Sequence, residues 1–447
     1  MPDDSRRGSL PVLCLTVFVD LVGFSIIFPL FPDMLDHYLA AEGDQSLVGG
    51  LNSWLKSLAG TDTPEKQKLY ATVFFGGLLG SLYSALQFVC APIWGRLSDR
   101  IGRRPVLLLT IAGLCGSYLL WAFAGTFLLL VFSRLLGGLM SGNISVATAA
   151  VADMTGKKDR AKGMGMIGAA FGLGFIVGPA IGSILAQPIF DLNDAGLPGL
   201  NPYSAAALAA AGLSAWNLVW VIWRLPETLP PDRRGQGEPH TRSANPLRLL
   251  GQVDIPGVTR TNMVYFIFLA AFAGMEFTLT FLAKDIHGYD RTNTFWIFVY
   301  VGLIIVAVQG GLVRRLAPRF GEQRLVLTGL VLLLPGLLIT GTTTNEVLFY
   351  VGLGLLSVGS ALATPCLTAL VSLYTPPERQ GEILGTFRSL GALSRAIAPL
   401  VAGLAYWKFG PASPYAGAAA LMLVPLWLAV KLPATTVQSE VDSRQPE

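Results

Sequence analysis

Gly95-Arg96-Leu97-Ser98-Asp99-Arg100-Ile101-Gly102-Arg103-Arg104-Pro105 is a short basic stretch set between two long apolar runs, residues 69–93 and 105–123. Its two glycines permit a tight turn, and its four arginines hold it at a watery face. Asp99 can bond to an arginine or to a neighbouring helix end, so the cluster can latch one arrangement of the helices it joins. A merely solvated basic turn does not explain Asp99 among those arginines. Each flanking run has the length of a membrane helix, which needs about 20 apolar residues.

The same pattern extends in both directions. Runs of spanning length fall at residues 10–30, 69–93, 105–123, 127–151, 164–185 and 204–223, then at 262–282, 294–313, 325–341, 346–370, 383–406 and 413–430. Composition agrees: of 447 residues 52% are hydrophobic and only 13% charged, about half the usual charged share of soluble domains. Disorder, a coiled coil, a collagenous chain and a disulfide-stapled module are excluded, which leaves an all-α protein of twelve transmembrane helices in two six-helix bundles. The first run is too long for a cleavable signal and is retained as a span. Residues 1–225 are the first bundle, 226–260 a polar linker rich in proline and arginine, and 261–447 the second bundle.

Lys and Arg number 24 on the side of the two tails and the linker, 6 on the opposite side and 2 within spans. The positive-inside rule therefore puts both termini in the cytoplasm. The halves repeat one another. At an offset of 219, Arg96, Leu97, Arg100 and Gly102 match Arg315, Leu316, Arg319 and Gly321; at 220, Val151, Thr155, Gly165 and Pro179 match Val371, Thr375, Gly385 and Pro399. Same-handed halves around a central crevice are what parallel transporter repeats produce. In the loop from Phe31 to Lys68, Leu47, Leu51, Trp54, Leu55 and Leu58 recur at helical spacing and predict a short helix on the membrane surface.

Charges inside the spans mark the candidate chemistry. Arg134 lies several residues deep in the fourth span, at a cost of roughly 2.5 to 3.5 kcal/mol unless it meets a wet cavity or a partner. Asp20 is central in the first span, and Glu276 lies well inside the seventh. These acids are either proton carriers or members of fixed salt bridges, and an ionised Asp20 is expected to pair with Arg134. Arg388 and Arg395 lie seven apart on one face of the eleventh span, where they hold an anion, neutralise Glu276, snorkel or meet a helix end. Gln87, Asn143, Asn217 and Gln309 are further polar residues in spans, either interhelical hydrogen bonds or ligands. In the fifth span Gly174, Gly178 and Gly182 form a groove for another helix, with Pro179 bending it.

Other motif matches carry less. Gly163-Met164-Gly165-Met166-Ile167-Gly168 fits the dinucleotide pattern but opens a membrane helix with no preceding strand. Asn143-Ile144-Ser145 fits a glycosylation site but is intramembrane. His37, His240 and His287 are scattered, and Cys14, Cys90, Cys115 and Cys366 sit in apolar runs, so no metal site is expected. No nucleotide or other cofactor is called for.

The stretch Gly95–Pro105 resembles the loop signature of the major facilitator superfamily, and Arg134 its fourth-helix arginine, although Gly137 stands where the family has a polar residue. Gly174, Gly178, Pro179 and Gly182 resemble the signature of its antiporters, with Ser183 departing from a common second glycine. The first span, from Val19-Asp20-Leu21 to Pro32, is similar to the proton-coupled tetracycline and multidrug antiporters. Most of the chain resembles the tetracycline-transporter-like branch known from animals and proposed to move organic anions, through Phe75-Gly76-Gly77, Gln87-Phe88, Asn143-Ile144-Ser145, Met275-Glu276-Phe277-Thr278-Leu279 and the run from Arg388 to Arg395.

The resemblance implies a secondary active transporter working by rocker-switch alternating access, exporting a small organic molecule in exchange for protons. Proton coupling is assigned to Asp20, Arg134 and Glu276, and substrate binding to Arg134, Arg395, Asn143 and Gln309. Gating falls to Gly95, Asp99, Arg100, Gly102 and Arg103. The alternative is a facilitator or symporter of organic anions or lipid-like molecules without obligatory protons. The expected partners are the substrate, protons and the lipid bilayer, with no nucleic acid; a monomer is expected, and the short tails without sorting signals point to a bacterial inner membrane.

Overall fold

The structure is a computed structural model that describes residues 3–58, 63–155, 160–193, 197–229, 255, 257–375 and 380–433. Among the described residues, twelve helical segments are long and apolar enough to cross a membrane. The first half has Ser9–Leu30, Ala71–Ile101, Arg103–Ala122, Phe127–Val151, Met166–Leu185 and Ser204–Arg224; the second has Val258–His287, Thr292–Val313, Glu322–Thr342, Glu346–Tyr374, Thr386–Phe409 and Ser413–Val430. They are numbered below as spans one to twelve.

Packing follows the sequence repeat. The first span packs on the fifth and the seventh on the eleventh; the third packs on the sixth and the ninth on the twelfth. Across the midline the second span meets the eleventh and the fifth meets the eighth. Adding six to each member of one cross-bundle pair yields the other, as a pseudo-twofold relation requires. The apolar windows of spans one and seven are each 72% buried, and those of six and twelve only 39%. Spans one and seven are therefore central. Trp216, Trp220 and Trp427 lie among the outward-facing apolar side chains of the outer pair, the expected surface for contact with lipid.

The repeat extends to single residues. Gly102 (φ +111°) and Gly321 (φ +79°) both start the helix that follows them, a backbone conformation that favours glycine. Thr155 Oγ1 donates to Val151 O at 2.7 Å, and Thr375 Oγ1 to Val371 O at 2.6 Å.

Two expectations change in detail. The stretch from Gly95 is not a loop: the second helix continues to Ile101, and the chain turns only at Gly102. Ser98 Oγ caps the Gly95 carbonyl at 2.7 Å inside that helix, so the polar end projects as regular helix beyond the apolar run. The fourth span is not continuous. It breaks at Ser141 and Gly142 into Phe127–Met140 and Asn143–Met154. Trp94 fills the space beside Gly142 and its indole N–H satisfies the Leu139 carbonyl at 2.6 Å.

Leu47–Leu58 is a helix, as its spacing predicts. It packs against the second span and buries Val48, Asn52 and Leu55, leaving Leu47 and Trp54 exposed. Of the expected linker, Leu229 and Thr228 are buried; residues 230–254 and 256 lie outside the described residues.

Candidate functional site

Glycine spacing positions the first span. At Gly174 an added methyl would meet the Phe18 carbonyl, at Gly178 that of Val22 and at Gly182 that of Ile26. The backbones of spans one and five thus touch along three turns, and Ser25 Oγ donates to Gly174 O at 3.2 Å. Small residues every fourth position allow this approach. Pro179 is buried on the same helix.

That contact fixes Asp20, which is 5% exposed. Asn143 Nδ2 donates to Asp20 Oδ1 at 3.4 Å, while Asn143 Oδ1 accepts from Thr110 Oγ1. The helix break at Ser141–Gly142 puts Asn143 on the first turn of a new helix, and Thr110 fixes its amide orientation. The expected Asp20–Arg134 pair is not formed: no ion pair joins them among the described residues, and the cation facing Asp20 is Arg395. Arg134 is buried over the Trp121 ring, 4.7 Å from its centre, with Tyr38, Tyr83 and Tyr118 around it. Tyr83 and Tyr118 interact electrostatically with both Asp20 and Arg134. Arg134 is instead taken up by the aromatic side chains packed around it.

Arg395 lies at the centre of the molecule. It is 6% exposed and borders three adjoining cavities. The first, of about 90 Å³, is walled mainly by apolar side chains of spans seven, eight and ten, including Leu269, Phe272, Phe298 and Leu353, and closed by Phe171 and Phe175 of the fifth, with Arg395 entering from the eleventh. Its polar groups include Arg395, Glu276, Gln309, Ser357 and Ser360. The Arg395 guanidinium carbon stands 5.1 Å from the Phe171 ring centre and 5.6 Å from that of Phe175. Its Nε and Nη1 have no hydrogen-bond partner among the described residues. Glu276 is its charged neighbour within the cavity.

Gln309 occupies a π-helical turn, Val308–Val313, in the eighth span. Its amide group lies against Gly172, whose missing side chain leaves it room, and its Oε1 is unpartnered among the described residues. Such turns displace a side chain from the regular helical face, often at functional sites. Arg395, Glu276 and Gln309 therefore share one cavity, and Asp20, which lines none of the three cavities, interacts with Arg395 only through charge. Asn143 joins through Asp20, and Arg134 stands apart.

The basic cluster is built entirely within the first bundle. Arg103 is 6% exposed. It pairs with Asp99 at 2.6 Å and with Asp153, from the end of the fourth span, at 2.9 Å, and it donates to Ser98 Oγ at 2.7 Å. Glu227, beyond the sixth span, accepts from the backbone amides of Arg103 and Arg104 at 2.9 and 3.2 Å. Gly95 is helical and Arg100 exposed. On the opposite face the bundles meet through Asp33 and Lys284, 2.7 Å apart, and through Phe74 against Trp407.

Sequence reasoning missed Phe171, Phe175, Glu227 and Asp153. The two phenylalanines, four apart on a glycine-rich helix, were the available signal; the two acids gave none. Among the described residues no three His, Cys, Asp or Glu cluster as metal ligands. His37 meets Tyr38 and Tyr203 edge-on, and His287 lies tilted against Phe349; His240 lies outside the described residues.

A family model described as Major Facilitator Superfamily matches residues 13–399 and 312–446. The chain is 36% identical over 456 residues to the human protein named major facilitator superfamily domain-containing protein 10, covering 97% of this chain and 96% of that one. It is 26% identical over 429 residues to the class C tetracycline resistance protein of Escherichia coli, covering 96% of each. A solved structure, titled as the human organic anion transporter MFSD10 (TETRAN), superposes with a TM-score of 0.79 at 34% identity, covering 96% of this chain and all of that one.

Proposed function

The chain belongs to the major facilitator superfamily, and on that premise we propose that this membrane transporter carries small amphipathic organic anions by alternating access, with Arg395 as the anchor. The observation that supports this most is Arg395 itself, a buried guanidinium with free N–H groups on an apolar cavity between the two bundles. A permanent charge there is costly without a counter-ion. The relative titled an organic anion transporter has the same fold and spans nearly all of this chain.

Glu276 and Asp20 face the same guanidinium and are the proton-titrating groups of the reading. When either carboxylate is neutralised, Arg395 becomes available to a substrate carboxylate or sulfonate. Proton and anion then bind together, and both move in one direction. The exchange of substrate for protons needs the two to compete instead, so it suits an uncharged or cationic cargo facing ionised Asp20. The tetracycline resistance relatives support that second reading.

The rocking units are residues 1–225 and 261–447, joined by 226–260. A single chain supplies both walls of the cavity, which favours a monomer. The Lys and Arg distribution favours cytoplasmic termini. The bacterial inner membrane expected from the short tails finds no support in the relatives that are about a third identical, which are mammalian.

The experiment is uptake of naphthalene-2-sulfonate, permanently ionised, into proteoliposomes with and without an imposed pH step. The expected result is uptake accelerated by external acid and lost in Arg395→Gln. Uptake unchanged by that substitution removes Arg395 as the anchor, and uptake driven by internal acid supports exchange.

A further inference from the structure

Phe171 separates two compartments. On one side is the apolar cavity described above; on the other is a recess of about 20 Å³ bordered by Gln87, Ser141, Ser145, Arg388 and Ser389, with Arg395, Phe171 and Tyr265 belonging to both. Arg388 stacks on the same ring as Arg395, its guanidinium carbon 5.3 Å from the centre. It is 9% exposed. Its electrostatic neighbours are the Tyr265 phenol and the like-charged Arg395. No carboxylate lines the recess; its polar side chains are amide, hydroxyl and guanidinium groups, all able to donate.

Two buried cations on one ring repel each other, and Glu276 and Asp20 face Arg395. Arg388 is thus a buried charge without an acid among the described residues to balance it, an arrangement that calls for an anion from outside the chain. A water needs about 10–15 Å³, so a recess of about 20 Å³ admits the oxygen tip of an acid group and not a second organic molecule.

We propose that this recess is a second anion subsite, and that the transporter favours dianionic amphipathic substrates with one acid group at Arg395 and the other at Arg388, past the edge of Phe171. The proposal rests on Arg395 as the substrate anchor. Geometry sets the spacing of the acids. Both guanidinium carbons lie just over 5 Å from the ring centre, so twice that distance, about 10 Å, bounds their separation. Seven residues of helix rise by about 10 Å as well. A rigid bicyclic aromatic with acid groups at opposite ends fits that bound.

The test uses the full chain, purified in detergent, and compares binding of naphthalene-2,6-disulfonate with naphthalene-2-sulfonate by calorimetry. Expected is an advantage of about tenfold or more for the disulfonate, the scale of an added charge-assisted contact. Arg388→Gln should erase that advantage while the monosulfonate still binds. Ser145→Leu fills the recess with both arginines kept and should do the same, which covers misfolding of the first variant. An equal affinity for both probes, or an advantage that survives both variants, overturns the second subsite and leaves the anchor standing. Arg395→Gln should weaken both probes; if it does not, the anchor itself fails. Inorganic sulfate adding its stabilisation to that of the monosulfonate, with no disulfonate advantage, overturns the dianion reading in favour of a free-ion site.

Discussion

Glu227 closes the start of the third span by accepting the backbone N–H of Arg103 at 2.9 Å. The adjoining amide of Arg104 takes its other oxygen at 3.2 Å, and the Leu229 amide returns to the first at 2.9 Å. Helix starts carry unsatisfied N–H groups and a partial positive charge, so a carboxylate there fills both roles. Gly102, which has no side chain to obstruct the approach, lies directly beneath it. Glu227→Ala should destabilise the first bundle by about 1 kcal/mol, the usual scale of a lost cap. Thermal unfolding in detergent measures it, and an unchanged midpoint rejects the capping role.

The contact of spans one and five predicts a larger loss. An alanine at Gly182 collides with the Ile26 carbonyl and one at Gly178 with Ser25 and Val22. Backbone cannot yield as a flexible side chain does, so each substitution should cost about 1 to 3 kcal/mol, as overpacking usually does. Gly168 has nothing near its missing side chain, and Gly168→Ala on the same helix is the control that should be neutral. Equal behaviour of the three variants counts against the groove.

The spans were legible because each is a local property: about twenty apolar residues in a row announce themselves without knowledge of their neighbours. Gly102 and Gly321 were legible as turn residues for the same reason. What escaped depends on pairing between distant segments. Glu227 reaches Arg103 across 124 positions, and Asn143 reaches Asp20 across 123. Asp20 and Arg134 were expected to meet because opposite charges in a bilayer seek partners, yet Arg134 is packed among Trp121, Tyr83 and Tyr118, and the cation whose charge acts on Asp20 is Arg395 from the other half. Charge type told which residues needed partners; only packing told which partners they found.

His37 gives an acid-side stability dependence. It lies in the helix Phe31–Glu42, beyond the first span, between the rings of Tyr38 and Tyr203. Burial there lowers its pKa from 6.5, with Asp191 partly offsetting the effect. A base whose folded pKa lies below its unfolded value binds protons more readily when unfolded. Its contribution is therefore intact above the unfolded value of 6.5 and is lost as pH falls through the lower folded value. The unfolding midpoint should drop between neutral pH and about pH 5, and His37→Gln should reduce that drop. An identical drop in the variant assigns it elsewhere.

Asp33 and Lys284 tie the bundles together on the face away from the termini. The lysine side chain is 55% exposed and the aspartate 31%, so the pair contributes about 1 kcal/mol at most and weakens with salt. That is enough to bias two states of a transporter by about fivefold without fixing either. Lys284→Ala should raise the reactivity of a cysteine placed at Phe74, beside the interface with Trp407, by up to that factor at low ionic strength. The Asp33→Lys, Lys284→Asp double exchange should restore it. A labelling rate indifferent to all three changes shows that the pair follows closure and does not stabilise it.

The sharpest separation of coupling from binding comes at Asp20. Asparagine at this position keeps the size and can still accept from Asn143, but it never carries charge. If protonation of Asp20 releases Arg395, the variant is held in the released form: counterflow exchange of substrate on both sides should continue, while transport driven by a pH step should lose its contribution from this group. Asn143→Ala removes the amide that holds the carboxylate at 3.4 Å and leaves Asp20 able to titrate, so it should shift the pH profile of driven transport without abolishing it. The two variants thus fail differently in one vesicle preparation. Driven transport that is unchanged in Asp20→Asn takes Asp20 out of the coupling, and loss of counterflow as well makes it a structural acid whose charge the bundle needs.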